Sequence, residues 1–126
     1  MYEVTVLERL VAQHFLTVPN PPVGEAEPHS HRFKIELTFR GDALNEFDYL
    51  VNIDDVEAAL AGLCDRYADT LLNDLPEFDG YNPSVERFAR VVWDRVTDEV
   101  TDDTVAELTV TIWEDEQANA AYRAPV

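Results

Sequence analysis

Several things are scarce in this 126-residue sequence. It has one cysteine, Cys64, which excludes an intrachain disulfide framework and suits a reducing, cytoplasmic setting. It has one lysine, Lys34; the rest of its nine basic residues are arginines. No stretch approaches the roughly 18 apolar residues of a membrane span. The opening MYEVTVLERL has no basic segment leading into an apolar one, so it does not predict a secretory signal. Positive charge is scarce as a whole: 9 basic against 26 acidic residues leaves −17. Such a chain is repelled by DNA, RNA and anionic lipid. Hydrophobic residues make up 46%, so the acidity does not signal disorder. The sequence predicts one domain over residues 1–126 with an acidic surface.

The alternation of apolar and polar residues predicts a strand over residues 2–16, with a parity slip through Leu7, Glu8 and Arg9 that suggests a β-bulge. Residues 17–28 form a loop in which Pro19, Pro21, Pro22 and Pro28 deny ladder donors. Phe33, Ile35, Leu37 and Phe39 define a second strand over residues 29–40, antiparallel to the first. One helix is expected over Ile53–Tyr67, capped by Asn52, with an apolar stripe that includes Ile53, Val56, Leu60, Leu63 and Cys64. A second is expected over Pro83–Val96, with Asn82 as cap and Pro83 in the first turn. The acidic stretch Ala68–Tyr81 between them predicts loop with at most a short turn. A third strand covers residues 105–113, and the tail Glu114–Arg123 returns as a short fourth. The order β-β-α-α-β-β predicts an α+β fold, with two helices on one face of an antiparallel sheet.

The three histidines are His14, His29 and His31. His29 and His31, two apart on a strand, share a face with Phe33 and Ile35. His14 ends the first strand, which in an antiparallel pair faces the start of the second. Three imidazoles without a fourth protein ligand describe a zinc site with an open position. The same residues also admit a plainer reading, with two histidines at a strand start and one in the core.

With the histidines placed, the sequence resembles the 6-pyruvoyl-tetrahydropterin synthase family, which includes 6-carboxy-tetrahydropterin synthase. The resemblance runs in order along the chain: Val11-Ala12-Gln13-His14, His29-Ser30-His31-Arg32-Phe33, Asn52-Ile53, Leu72-Asn73-Asp74, Asn82-Pro83-Ser84-Val85-Glu86, then Glu114 and Tyr122-Arg123. It implies a tunnelling fold whose sheets join into a barrel on forming a trimer or hexamer. It implies zinc held by His14, His29 and His31, and a dihydropterin substrate such as 7,8-dihydroneopterin triphosphate. It also implies that Glu114 anchors the pterin ring, since one carboxylate accepts from both the ring N–H and the adjacent amine.

Four departures accompany it. The family's usual base is a cysteine four residues before His-x-His, where this chain has Glu25; members with glutamate there cleave the side chain in an aldolase-like way. Glu27 competes with Glu25 for that role. An Asp-His pair is replaced by Ala68-Asp69, leaving Asp69 as the candidate acid–base group. Ser30 stands for the central glycine of His-Gly-His, and Asn52 for the first-helix aspartate.

The resemblance thus implies a zinc-dependent pterin lyase of the 7-deazaguanine or folate route. The lost Asp-His pair leaves room for a second role, a non-catalytic protein of the same fold. The balance of abundant acid with almost no lysine suggests adaptation to a salt-rich cytoplasm, because at about 1 M salt the Debye length falls to roughly 3 Å. Thermal stability is then expected to rise with KCl in a melting series. A melting temperature independent of KCl contradicts salt adaptation.

Overall fold

In the computed structural model, which describes residues 1–126, four strands form one antiparallel sheet in the order β1-β2-β3-β4. The strands are β1 (Tyr2–His14), β2 (His29–Gly41), β3 (Glu107–Trp113) and β4 (Asn119–Pro125). Between β2 and β3 lie α1 (Ile53–Tyr67) and α2 (Val85–Glu99). The first helix packs over β1 and the second over β3 and β4, so both cover the same face of the sheet. No helix is long and apolar enough to cross a membrane.

The core follows from strand alternation. Phe33, Ile35, Leu37 and Phe39 of β2 point toward the helices and are at most 1% exposed, as are Leu108, Val110 and Ile112 of β3. The helices meet them with Val56, Leu60 and Leu63 of α1 and Phe88, Val92 and Val96 of α2. Trp93 fixes α2 to the sheet by donating its indole N–H to the Leu108 carbonyl at 3.0 Å. Cys64 is half-buried against this core, and burial pushes its thiol above the usual value.

The expected bulge in β1 is absent. The β1–β2 ladder runs unbroken from Tyr2↔Gly41 to His14↔His29. Leu7 lies on the helix-free face, 44% exposed, and Glu8 lies exposed on the helix side. The register therefore holds while two residues depart from the hydrophobic pattern.

Two further expectations are corrected. The second helix begins at Val85, and its cap is Ser84, whose side chain accepts from the Arg87 N–H. Asn82 instead accepts from the Thr17 N–H at 2.9 Å. Ile53, placed on the buried stripe of α1, is 39% exposed because it opens the helix beyond the sheet. Asn52 caps α1 as expected, accepting from Asp54.

The acidic connection between the helices folds into two 3-10 turns, Leu72–Asp74 and Pro76–Phe78, which bury Leu72 and Phe78. Their anchor is Glu77. Its carboxylate accepts from Arg66 at 2.6 Å, Arg95 at 2.9 Å and the Tyr67 hydroxyl at 2.6 Å. The hydrogen bond from Arg66, followed by that from Tyr67, outweighs desolvation and holds the Glu77 carboxyl far below its usual value of 4.5. A carboxyl so depressed contributes stability above pH 4.5 that is lost as pH falls. Glu77→Gln is expected to cost about 2 kcal/mol at neutral pH. Urea titrations across pH should show this difference shrinking below pH 4.5, and a pH-independent difference contradicts the assignment.

Candidate metal centre

The β1–β2 register ends on the pair His14↔His29, and two residues inward it sets His31 opposite Ala12. All three imidazoles therefore project from the helix side of the sheet at its open end. The small Ala12 leaves room beside His31. Ring centroids lie 4.6 Å apart for His14–His29, 5.1 Å for His14–His31 and 4.9 Å for His29–His31. Each ring offers one nitrogen to a set whose members all lie within 4.8 Å of one another. The structure thus brings together the three histidines singled out by sequence.

Their orientation is fixed by backbone carbonyls. His14 Nδ1 lies 2.8 Å from the Pro83 carbonyl, and His29 Nδ1 lies 2.8 Å from the Glu27 carbonyl. A carbonyl only accepts, so both Nδ1 atoms carry the proton, and in the neutral ring Nε2 is left as a lone-pair donor. His29 Nε2 is buried and has no hydrogen-bond partner. A buried polar atom left unpaired costs free energy, and a cation at the centre of the cluster removes that cost. Burial is the main reason the His14 pKa falls below its usual 6.5; the neighbouring imidazoles add to this, and the Pro83 hydrogen bond opposes it. A neutral His14 is the form that ligates a metal. The donor set suits zinc, which favours imidazole nitrogen and tolerates three protein ligands.

The other candidate residues are placed less tightly. Glu25 is half-buried on the β1–β2 loop, near enough for its charge to act on His14. The Glu27 side chain is exposed, and its contribution is the carbonyl that orients His29. Asp69 is exposed in a left-handed conformation (φ 54°); its N–H donates to Val11 and its carboxylate makes no bond within the chain. Glu114 is half-buried at the end of β3, where it lines a cavity of about 580 Å³ with Arg32, Lys34 and Trp113. The neighbouring Asp115 has a lowered pKa, mainly from the Gln117 and Ala118 N–H groups and in part from the charge of His31.

Sequence reasoning missed the groups that hold the site's frame. Asn73 extends the ladder beyond His14: its side chain accepts from the Phe15 N–H at 2.9 Å and donates to the Phe15 carbonyl at 3.0 Å. The Leu16 N–H then donates to the Glu25 carbonyl at 2.7 Å, and Asn82 holds Thr17. Both asparagines stood out in the sequence only as parts of motifs, since nothing local indicates a partner some sixty residues away.

Residues 3–125 match the family model described as 6-pyruvoyl tetrahydropterin synthase. The 6-carboxy-5,6,7,8-tetrahydropterin synthase of Bacillus subtilis is 30% identical over 100 residues, spanning 75% of this chain and 65% of that relative. The Caenorhabditis elegans 6-pyruvoyl tetrahydropterin synthase superposes with a TM-score of 0.79 at 12% identity, covering 98% of this chain and 95% of the other. A Plasmodium vivax 6-pyruvoyltetrahydropterin synthase in which a catalytic glutamate is replaced by alanine gives a TM-score of 0.78 at 13% identity, covering 99% and 98%. The tunnelling-fold architecture is thus shared along nearly the whole chain.

Asn73→Ala removes both bonds to Phe15 and is expected to cost about 1–3 kcal/mol in chemical denaturation. Hydrogen exchange at the Phe15 amide should accelerate with it, and unchanged exchange contradicts the clamp.

Proposed function

The chain belongs to the 6-pyruvoyl tetrahydropterin synthase family, and from that premise we propose a zinc-dependent enzyme that acts on the side chain of a 7,8-dihydroneopterin compound. The observation that carries the proposal is the buried, unpartnered Nε2 of His29 inside a cluster of three imidazoles. His14, His29 and His31 are the ligands in this reading. When bound, zinc supplies Lewis-acid polarisation of substrate hydroxyl groups.

The chain's own residues supply the rest. Glu25 is the base that takes a proton from the pterin side chain. Its half-burial and its influence on His14 support the role, and the exposure of Glu27 argues against the competitor. A glutamate is also a catalytic residue of the Plasmodium vivax relative. A carboxylate in place of the usual thiol favours carbon–carbon cleavage to a 6-hydroxymethyl product over elimination. Asp69 is the second acid–base group, its peptide N–H anchored to Val11 of β1. Glu114 anchors the pterin by accepting from two adjacent donors. The identity of the product decides between the folate and the 7-deazaguanine route. A homo-oligomer, trimer or hexamer, closes the sheet into a barrel: β1 and β4 are open edges, which in stable proteins are paired or covered.

One observation favours a second reading. No histidine stands near Asp69, so a non-catalytic protein of the same fold would retain zinc and a pterin-like ligand without turnover.

Metal analysis and assay of one preparation separate the readings. The proposal expects about one zinc per chain, lost in His29→Ala with the circular dichroism spectrum unchanged. It expects turnover of 7,8-dihydroneopterin triphosphate, lowered by about 10²-fold or more in Glu25→Gln with zinc retained. Zinc without turnover of any dihydropterin supports the binding role, and folded protein that takes up no zinc contradicts both.

A further inference from the structure

The outward face of α2 carries its charges against the helix dipole. Arg87, Arg90, Asp94 and Asp98 recur at helical spacing and form one row, on the side away from the buried Val85, Phe88, Val92 and Val96. The two cations stand in the N-terminal half and the two carboxylates in the C-terminal half. A helix dipole favours the opposite order, acids first and bases last. The last turn holds Asp98 and Glu99 and no basic residue. Within the row Arg90 pairs with Asp94 at 3.2 Å, in the chain order that supports a helix less well. Glu86 does follow the dipole, and so does Arg95, which is held by Glu77.

Arg87 forms no ion pair within the chain. Its guanidinium instead stacks on Tyr81, 3.9 Å from the ring centroid, and Tyr81 is itself 50% exposed. Tyr81, Val91 and the four charged residues of the row line a groove of about 380 Å³. Tyrosine and arginine are enriched where protein surfaces meet. The row has no net charge, in a chain whose total is −17. A second copy therefore meets less repulsion along it than on the acidic remainder of the surface.

We propose that this row is a docking surface for α2 of a second copy, packed antiparallel across a two-fold axis. The row is self-complementary under that operation. Arg87 and Asp98 flank the same midpoint, to within one residue, as Arg90 and Asp94. Turning a second α2 end for end sets Arg87 against the partner's Asp98 and Arg90 against the partner's Asp94, with the reciprocal contacts following by symmetry. The Arg90–Asp94 pair and its symmetry equivalent then close into a ring of alternating charge. The two dipoles run in opposite directions, so each arginine half lies beside the negative end of the other helix. An arrangement that is unfavourable in one helix is favourable in the pair. Exposed ion pairs are each worth little, so the association depends on the whole set and on covering the groove and the Tyr81 ring. The contact uses neither the β1 nor the β4 edge, and it does not require the metal or the pterin reading.

The test is sedimentation equilibrium of the full-length protein over a concentration series at fixed KCl. Two charge-reversal variants, Arg87→Glu/Arg90→Glu and Asp94→Arg/Asp98→Arg, each give the row a single sign. Both also bring α2 closer to the order its dipole favours, so circular dichroism is expected to show an intact fold. The expected result is a weight-average mass lower by about twofold or more in each variant than in wild type. Equimolar mixing of the two variants is expected to restore the wild-type mass, because an acidic row then meets a basic one. Equal masses for wild type and both variants overturn the proposal. A loss confined to the more acidic variant also overturns it, marking net charge as the cause. A mixture that stays at the lower mass overturns it as well, because the two rows then do not face each other.

Discussion

The unbroken register between β1 and β2 is the constraint from which the site follows. Because side chains alternate with a period of two, a shift of one residue would turn His14 to the opposite face from His29 and His31. The ladder holds through all 13 residues of β1 and ends on His14↔His29, which places the imidazoles side by side at the sheet's open end. The same register sets Arg9 against Lys34 on the other face. One pairing thus builds a metal-binding geometry on the helix side and a cationic patch on the bare side.

The histidines stand on a rigid base. Phe33, next on the same face of β2, packs edge-on against His14 and Phe88; Phe88 packs against Tyr67, and the Tyr67 hydroxyl reaches Glu77. These aromatic contacts connect the site to the arginine–glutamate cluster that fixes the segment between the helices. From that segment come Asn73 and, further on, Asn82 and the Pro83 carbonyl, which hold the chain at and just beyond His14. The arrangement of the three imidazoles is therefore set by packing and backbone bonds in the protein itself.

Much of this was legible in the sequence. Clean alternation in β2 and β3 and helical spacing in α1 and α2 reflect burial against one layer, which sequence patterns report well. The convergence of His14, His29 and His31 followed from strand parity and a single antiparallel turn. A parity slip at Leu7 and Glu8 resembles a bulge, yet the ladder runs through both without a break: the hydrophobic pattern reports burial, and the pairing does not depend on it at every residue. The α2 cap was misread because Asn82 and Ser84 are both good caps locally, and a distant partner, Thr17, claims Asn82. The Glu77 cluster was invisible for the same reason: in a chain with 26 acidic residues, nothing marks the one that gathers two arginines and a tyrosine.

The net charge of −17 conceals an uneven distribution, with Arg9, Arg32, Lys34, Arg40 and Arg123 gathered on the helix-free face of the sheet. The central claim, however, concerns the other face: that three imidazoles selected by strand register share one metal ion. X-ray absorption at the zinc edge of the zinc-loaded protein tests it most directly. The account predicts a first shell dominated by nitrogen at about 2.0–2.1 Å with the outer-shell pattern of three imidazole rings and no sulfur. A shell of carboxylate oxygens without imidazole scattering, or a thiolate contribution from Cys64, would contradict it.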